Sequence, residues 1–272
     1  MCLFRIFDVE TLKTQVYPLV RQKHATDIAD RLIAHRGYAG QYPENTLSAI
    51  ESALAAGVRH IELDLQLTAD RVPVLFHDRD LGRIMGMSGS VGELTAAEFL
   101  AAEAAYRARF GEKFLGTRAA SLELALTTLS EHPEVTLFLE IKRVTLEQFG
   151  VEETVEIVLN AVRQIINPLV LLSFSQAAVR VIREQWHYTI GWVLDSFDDE
   201  HRDYANALRP DFLFCNKDKV DSALWPGAWQ WVIYEVESFE SALDWLAHGV
   251  HFIESMWPGE LMTAALSGDE LQ

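Results

Sequence analysis

Residues 32–78 read LIAHRGYAGQYPENTLSAIESALAAGVRHIELDLQLTADRVPVLFHD, and this stretch decides the fold. Two short apolar runs, LIAH and HIELDLQL, flank a helical segment that begins near PENT, and a third run, VPVLFHD, follows almost at once. Pro43 and Glu44 lead into the helix, with Asn45 as its expected N-cap and Gly57 as its expected C-cap. The pattern predicts a strand–helix–strand unit followed by one more strand.

The same alternation continues to the end of the chain. Six further apolar runs predict strands: VTLFLEIK, PLVLLSF, YTIGWVL, DFLFC, WQWVIYEV and VHFIES. Amphipathic segments between them, among them VEETVEIVLNAVRQII, SQAAVRVIREQW and SFESALDWLAHG, predict helices. Near-continuous apolar strands in steady alternation with helices favour a parallel sheet that is buried on both faces.

Nine predicted strands are one more than a TIM (β/α)8 barrel contains. The gap between LDLQL and PVLFHD is too short for a helical crossover, so these two runs are expected to form an antiparallel hairpin that turns near Ala69–Asp70. That register places His77 roughly opposite Asp64. The remaining eight strands predict an α/β protein with a TIM barrel closed by HFIES. The alternative is an open doubly wound sheet, but the first strand–helix turn lacks a glycine-rich fingerprint.

The length of 272 residues suits a single barrel domain, which we place at residues 31–272. Residues 1–30 are expected to form an arm over one end of that domain, with a short helix at ATDIADRL that Thr26 or Asp27 could cap. Residues 79–119 break the rhythm, since they hold six of the fifteen glycines and no convincing strand. They predict a small insertion after the His-Asp pair that covers one end of the barrel.

Composition narrows the function classes. Lys plus Arg number 23 against 40 for Asp plus Glu, and the resulting net charge of −17 disfavours nucleic acid and anionic membrane surfaces as partners. No stretch of about 20 apolar residues could span a bilayer, so no stable membrane insertion is expected. Two cysteines are too few for a disulfide framework, and the charged N-terminus is a poor signal peptide. A cytoplasmic enzyme is the resulting prediction.

Carboxylates lie at the ends of two predicted strands. Glu62 and Asp64 are two residues apart and therefore share a face of their strand, as do Glu140 and Lys142 on another strand. The C-terminal strand ends of a barrel form its active face. Three carboxylates there make an oxygen-rich site suited to one divalent cation, Mg²⁺ or Ca²⁺. The alternative is a set of ion pairs with Arg36 and Lys142 and no metal.

Two histidines also follow apolar strands, on either side of the Glu62–Asp64 pair. His35 and His77 could serve as general acid and general base, because phosphodiester cleavage requires one group to deprotonate a nucleophile and another to protonate the leaving alkoxide. Asp78 could orient His77 or simply begin the next turn.

Three further charged residues could contact an anionic substrate. Arg36 can grip a phosphate with two hydrogen bonds, and Lys142 can supply a point charge. Arg36 could instead only neutralise Glu62. Glu44 suits the first turn of a helix electrostatically, yet it is close enough to His35 in sequence to reach the same site.

These motifs resemble the glycerophosphodiester phosphodiesterase family. The family pattern is H-R-G, P-E-N-T, E-x-D, P-V-x-x-H-D and E-I-K, and it matches His35–Gly37, Pro43–Thr46, Glu62–Asp64, Pro73–Asp78 and Glu140–Lys142. The resemblance runs through essentially all of residues 31–258, and it includes a strand-end S-F element at Ser173–Phe174. It implies a TIM barrel with an insertion after H-D and hydrolysis of a small-molecule glycerophosphodiester to sn-glycerol 3-phosphate and an alcohol.

The resemblance also implies roles for individual residues. A divalent cation would be held by Glu62, Asp64 and Glu140, with His35 and His77 as the acid/base pair. The substrate phosphate would face Arg36 and Lys142.

Two segments depart from the family pattern. W-T-V-N is replaced by Tyr234–Glu237, and G-V-D-G-I-I-T-D-x-P is replaced by GVHFIESMWP, in which His251 and Met256 stand for aspartates. The alcohol half of the substrate is therefore less defined than the reaction.

Two alternatives follow. One is a lysophospholipase D-type or other phosphodiesterase with a bulkier substrate, whose apolar cleft Trp225, Trp229, Trp231 and Trp257 would shape. We favour packing between helices as the role of these tryptophans. The other is a non-catalytic binding protein, although no expected catalytic residue is missing.

Overall fold

The computed structural model describes residues 28–266 and contains one nine-stranded sheet. The strands are β1 (Leu32–Ala34), β2 (His60–Leu67), β3 (Pro73–Leu75), β4 (Thr136–Ile141), β5 (Leu169–Ser173), β6 (Ile190–Val193), β7 (Phe212–Asn216), β8 (Gln230–Tyr234) and β9 (Phe252–Ser255). Their order is β1-β9-β8-β7-β6-β5-β4-β2-β3, and β1 also pairs with β2. Eight parallel strands therefore close into a barrel, which confirms the predicted TIM fold.

Helices surround this barrel. They are α1 (Leu47–Ala55), α2 (Gly82–Met85), α3 (Ala96–Ala101), α4 (Arg107–Phe110), α5 (Leu122–Ser130), α6 (Arg143–Phe149), α7 (Val151–Ala161), α8 (Gln176–Val181), α9 (Asp199–Leu208), α10 (Phe239–Ala247) and α11 (Pro258–Leu266). No helix between residues 28 and 266 is long and apolar enough to cross a bilayer.

The hairpin between β2 and β3 is present, but its predicted register was wrong by one residue. Leu67 pairs with Pro73 and Leu65 with Leu75, and the N–H of Phe76 donates to the carbonyl of Asp64. Phe76 rather than His77 is therefore opposite Asp64. The tight turn across residues 68–72 sets this register, since the N–H of Thr68 bonds the carbonyl of Val72.

The expected N-cap of α1 was also wrong. Thr46 caps the helix, because its hydroxyl accepts from the N–H of Ala49. Asn45 has a left-handed backbone (φ 57°), so its side chain points elsewhere. Glu44 therefore lies two residues before the N-cap Thr46 instead of in the first turn of the helix. At the other end Ala56 is the C-cap, and Gly57 (φ 84°) follows it in the left-handed conformation expected of a terminating glycine.

Residues 79–119 pack around a small apolar core of their own. Phe99 is fully buried there and meets Phe76, which follows β3, edge to face at 5.8 Å. Short helices α2 to α4 and a 3₁₀ turn at Val91–Glu93 make up the segment, with only an isolated bridge between Glu103 and Arg118 in place of strands. The extent of the barrel domain and of this insertion remain predictions, and the predicted arm lies outside the described residues except for 28–30.

The tryptophans near the C-terminal end belong to the core. Trp225, Trp229 and Trp231 are buried, and Trp225 stacks on Phe197 with ring centroids 4.2 Å apart. Trp257 packs against the same core as a partly buried side chain. This agrees with packing between helices and leaves them out of the cavity described next.

Candidate catalytic face

The C-terminal ends of the parallel strands surround a cavity of about 220 Å³. One wall is formed by seven ionisable residues that come mainly from β1, β2, β4 and the hairpin: His35, Arg36, Glu62, His77, Glu140, Lys142 and Glu254. The opposite wall is formed mostly by apolar and aromatic side chains from β5 to β8: Leu172, Phe174, Val193, Phe214 and Tyr234, with Asn216 and Glu235 at its polar edge. The predicted site residues therefore meet at one place, with Asp64 and Glu44 buried directly behind them.

The three predicted cation ligands lie together and are buried. Glu62, Asp64 and Glu140 each offer an oxygen within 4.8 Å of the others. The ladder explains this proximity, because Asp64 of β2 pairs with Glu140 of β4 and Glu62 is two residues earlier on the same inward face. Lys142 reaches across them, with Nζ 3.1 Å from Asp64 Oδ1 and 2.8 Å from Glu140 Oε1.

Two observations show that this set suits a cation. Glu62 Oε1 is buried and accepts no hydrogen bond, which is costly for a carboxylate oxygen unless something else compensates it. All three residues supply carboxylate oxygens, the donor type that Mg²⁺ and Ca²⁺ prefer. The neighbourhood also carries excess negative charge, since burial together with Asp64, Glu254 and Glu140 raises the pKa of Glu62 well above its usual range.

Asp64 is the opposite case. Burial works against its charge, but Lys142, His77, Arg36 and His35 outweigh burial and hold its pKa below the usual range. Asn45 fixes its carboxylate, since Asn45 Nδ2 donates to Asp64 Oδ2 at 2.8 Å and Asn45 Oδ1 accepts from the Asp64 N–H at 3.0 Å. The side chain that the sequence suggested as a helix cap therefore positions a candidate cation ligand.

His35 follows β1 and is 8% exposed. Its Nε2 lies 3.3 Å from Glu254 Oε1 and 3.9 Å from Glu62 Oε2, and its Nδ1 is buried without a hydrogen-bond partner. Burial, assisted by the neighbouring Arg36, lowers the pKa of His35 well below its ordinary value. This direction favours the neutral form of the imidazole, the form that can accept a proton.

His77 follows β3 and is more exposed than His35. Its Nδ1 lies 2.8 Å from Asp78 Oδ1, which agrees with the orienting role suggested for Asp78. Gln66 holds this segment on β2, because its Nε2 donates to the carbonyls of Phe76 and Asp78 on either side of His77. The hydrogen bonds of Arg83 and His77 outweigh burial and hold the pKa of Asp78 below its usual range.

Arg36 adopts a left-handed backbone (φ 56°) that directs its side chain toward the carboxylates. Its Nη1 donates to Glu44 Oε1 at 2.8 Å, and its Nε lies 3.2 Å from Asp64 Oδ2. Only its backbone N–H contacts Glu62, at 3.0 Å from Oε2. The suggestion that Arg36 merely neutralises Glu62 was therefore wrong, because the guanidinium pairs with two other carboxylates and also lines the cavity.

Sequence reasoning missed two charged neighbours of this site. Glu254, 3% exposed, faces His35 from β9, and burial raises the pKa of Glu254 to about 8. Comparison with the family pattern could have found it, since Glu254 stands where the pattern has isoleucine. Arg83 of α2 binds both Glu44 and Asp78. It lies in a segment without strand periodicity, so no sequence signal placed it here.

Two more groups of donor atoms occur among residues 28–266. His35, Glu62 and Glu254 form one, and Glu44, His77 and Asp78 form the other. In the second group the guanidinium of Arg83 already binds both carboxylates. The all-carboxylate group of Glu62, Asp64 and Glu140 therefore remains the better fit to a hard cation.

A closed (β/α)8 barrel with ionisable side chains gathered at the C-terminal ends of its strands places this chain among the TIM-barrel proteins, whose active sites lie at that end. A family model for the glycerophosphoryl diester phosphodiesterase family matches residues 35–228. The chain belongs to this family, which confirms the resemblance seen in the motifs.

Curated relatives agree with the assignment. A glycerophosphodiester phosphodiesterase from Bacillus altitudinis is 35% identical over 126 residues, covering 46% of this chain and 51% of the relative. A putative glycerophosphodiester phosphodiesterase from Bacillus subtilis is 37% identical over 153 residues, covering 56% and 60%. The chain thus spans about half the length of the curated relatives it matches.

Solved structures show the same fold. An Oleispira antarctica phosphodiesterase in complex with the product sn-glycerol-3-phosphate superposes with a TM-score of 0.77 at 24% identity, covering 89% of this chain and 99% of that one. A putative glycerophosphoryl diester phosphodiesterase from Silicibacter pomeroyi superposes with a TM-score of 0.72 at 24% identity, covering 87% and 93%.

Proposed function

We propose that this protein hydrolyses glycerophosphodiesters to sn-glycerol 3-phosphate and an alcohol with the help of one divalent cation, Mg²⁺ or Ca²⁺. The observation that carries the proposal is the shared cavity of three carboxylates, two histidines, Arg36 and Lys142 at the C-terminal end of the barrel. Family membership and the named activities of the relatives support it.

Glu62, Asp64 and Glu140 would hold the cation. A bound Mg²⁺ or Ca²⁺ supplies Lewis-acid neutralisation of charge on the phosphoryl oxygens. Asn45 orients Asp64 through two hydrogen bonds, one to its carboxylate and one from its backbone N–H, so this ligand is in place before the cation binds.

Arg36 and Lys142 would bind the substrate phosphate. Both side chains line the cavity, and nearby carboxylates raise the pKa of each above its ordinary value in spite of burial, so both stay charged. Glu44 would orient Arg36 from behind rather than touch the substrate, since it is absent from the cavity wall.

His35 and His77 would transfer the protons. One imidazole takes the proton of the attacking hydroxyl while the other gives a proton to the departing alkoxide, and the two exchange roles if a second step follows. The attacking group is either a hydroxyl of the substrate glycerol, which gives a cyclic phosphate that water then opens, or water itself. The Asp78 carboxylate fixes a proton on Nδ1 of His77 and leaves Nε2 for this exchange.

The test is direct. Purified protein should convert glycerophosphocholine to sn-glycerol 3-phosphate and choline in an EDTA-sensitive reaction, followed by an enzyme-coupled assay for sn-glycerol 3-phosphate. The absence of EDTA-sensitive hydrolysis across a panel of glycerophosphodiesters would favour a binding protein instead.

A lysophospholipid serves as the bulky comparison substrate in the same assay. We expect it to be the poorer substrate, because the buried tryptophans do not line the cavity. A cytoplasmic location stays a prediction from the sequence.

A further inference from the structure

Arg83 joins two parts of the candidate site that are far apart in sequence. Its Nη1 and Nη2 donate to the two oxygens of Glu44 at 2.7 Å each. Its Nε and Nη2 donate to the two oxygens of Asp78 at 2.6 and 2.8 Å. One guanidinium thus forms two bidentate pairs, an arrangement that the planar, five-donor head of arginine allows and that lysine cannot reproduce.

Each of the two carboxylates bound by Arg83 also contacts a residue that lines the cavity. Asp78 Oδ1 lies 2.8 Å from Nδ1 of His77, and Glu44 Oε1 accepts from Nη1 of Arg36 at 2.8 Å. The route from Arg83 to each cavity residue therefore passes through a single carboxylate. Arg83 itself does not line the cavity, so it is not placed to contact a substrate bound there.

The charges of Glu44 and Arg36 explain why a positively charged side chain is needed at the position of Arg83. Glu44 is 5% exposed and would face Arg36 alone if Arg83 were absent. A carboxylate shared between two guanidiniums neutralises each of them less, so more of the Arg36 charge remains for a phosphate. The same guanidinium binds both oxygens of Asp78, one of which also contacts His77.

Residues 79–119 in turn hold Arg83. Its Cζ lies 5.1 Å from the ring centre of Tyr106, and the N–H of Tyr106 donates to the carbonyl of Ile84 at 3.0 Å. The Arg83 side chain is one-third exposed. The segment that interrupts the barrel pattern therefore supplies the group that ties the hairpin to the turn before α1.

We propose that Arg83 is a positioning residue with two effects. It orients His77 through Asp78, and by sharing Glu44 it leaves more of the positive charge of Arg36 available to a phosphate. This inference rests on the proposed phosphodiesterase function for its kinetic consequences. It predicts two separable defects on loss of Arg83: a lower kcat from a misplaced imidazole and a higher KM from a weakened phosphate contact.

The experiment compares Arg83→Met and Arg83→Lys with the wild-type protein on glycerophosphocholine. We expect kcat to fall about 10- to 100-fold in Arg83→Met, as is usual when an outer partner of a site ligand is lost. KM should rise as well, and Arg83→Lys should recover only part of kcat. Arg107→Met is the matched control, because Arg107 lies in the same segment and binds Glu103 through Nε and Nη2 without contacting the site.

A double-variant cycle separates positioning from a general structural role. In an Asp78→Asn background the further change Arg83→Met should leave kcat nearly unchanged, since the route to His77 is already broken, while KM still rises through Glu44. Equal kcat losses in both backgrounds would overturn the proposal. A kcat of Arg83→Met equal to that of Arg107→Met would overturn it too.

A second measurement does not depend on activity. In ¹⁵N-histidine NMR spectra the wild type should show the proton of His77 on Nδ1, and Arg83→Met should show a mixture of tautomers while retaining the fold by circular dichroism. An unchanged His77 tautomer in a folded Arg83→Met protein contradicts the proposal. If the wild type lacks phosphodiesterase activity, the proposed function fails and this spectroscopic result alone decides the positioning role.

Discussion

The interior of the barrel has two ends that differ in chemistry although the same strands build both. The lower layer, at the N-terminal end, consists of His60, Phe138, Phe212 and Phe252, whose rings pack with centroids 5.1 to 6.4 Å apart. The upper layer, at the C-terminal end, consists of His35, Glu62, Glu140 and Glu254.

Three strands carry a member of each layer two residues apart. His60 and Glu62 lie on β2, Phe138 and Glu140 on β4, and Phe252 and Glu254 on β9. The side-chain period of a strand is two, so each pair points to the same side. The comparison shows that the inward face of a strand is set by alternation, whereas position along the strand decides whether that face packs or does chemistry.

The two layers should differ most in their response to cation removal. We expect EDTA to reduce hydrolysis of glycerophosphocholine to background, because the Lewis-acid neutralisation of charge on the phosphoryl oxygens is then lost. Melting temperature should change far less than activity, since the lower layer contains no candidate ligand. Activity titrated with Mg²⁺ and Ca²⁺ checks this, and Glu140→Gln should require more of either ion. Full activity in EDTA would contradict the cation assignment.

Loss of either candidate acid/base residue should produce the next largest effect. His35→Ala and His77→Ala are each expected to lower kcat by about 10²–10⁴-fold, the usual contribution of a positioned proton-transfer group. Steady-state kinetics on glycerophosphocholine measure this. His60→Ala is the matched control, because this histidine belongs to the aromatic lower layer and does not line the cavity. Near-wild-type turnover in both upper-layer variants would remove them from the mechanism.

A change in the lower layer should reverse the pattern. Phe138 is 1% exposed and contacts three other phenylalanine rings, so Phe138→Ala is expected to lower the free energy of unfolding by about 3–5 kcal/mol. Its kcat should stay close to that of the wild type at a temperature where the variant is folded. Urea denaturation gives the first quantity. A variant with full stability and lost turnover would mean that the two layers are not independent.

The smallest expected effect concerns the lower rim, where His251 precedes β9. Its Nδ1 accepts from the N–H of Trp231, so this nitrogen must be unprotonated. Partial burial and the nearby Arg31 lower the pKa of His251, although much of the side chain remains exposed. A histidine whose pKa is lower in the folded state stabilises the fold above its ordinary pKa of about 6.5 and loses that contribution as pH falls.

His251 should therefore add a small acid sensitivity to the protein. Thermal unfolding between pH 8 and pH 5, compared between the wild type and His251→Asn, measures it. The variant should lose less stability on acidification than the wild type. Parallel pH profiles would show that His251 contributes nothing. The effect is modest because the side chain is exposed.

Much of the barrel could be predicted because its strands are nearly uninterrupted apolar runs. All nine predicted strands are present, and the short link between β2 and β3 allowed only a hairpin. The hairpin register was wrong by one residue since a turn of this length permits neighbouring registers, and the hydrogen bonds of Thr68 choose between them. The cap of α1 was wrong because both Asn45 and Thr46 are good capping residues.

The residues of the candidate site also fall into those that the sequence could predict and those that it could not. Glu62, Asp64 and Glu140 could be grouped from two-residue spacing and strand ends, which are local properties. Glu254 and Arg83 could not, because their relation to His35 and His77 depends on barrel closure and on the packing of residues 79–119. No local pattern records those contacts.

The sequence by itself determined the barrel, the family and the residues that meet at its C-terminal end, since apolar periodicity and short motifs are written along the chain. Only the tertiary structure decided how their charges are arranged. In the structure Asn45 binds Asp64 instead of capping the helix, and the Arg36 guanidinium pairs with Glu44 instead of Glu62. Arg83 binds both Glu44 and Asp78. The physical reason is that a buried charge is stable only with partners in space, and those partners come from wherever the chain folds back.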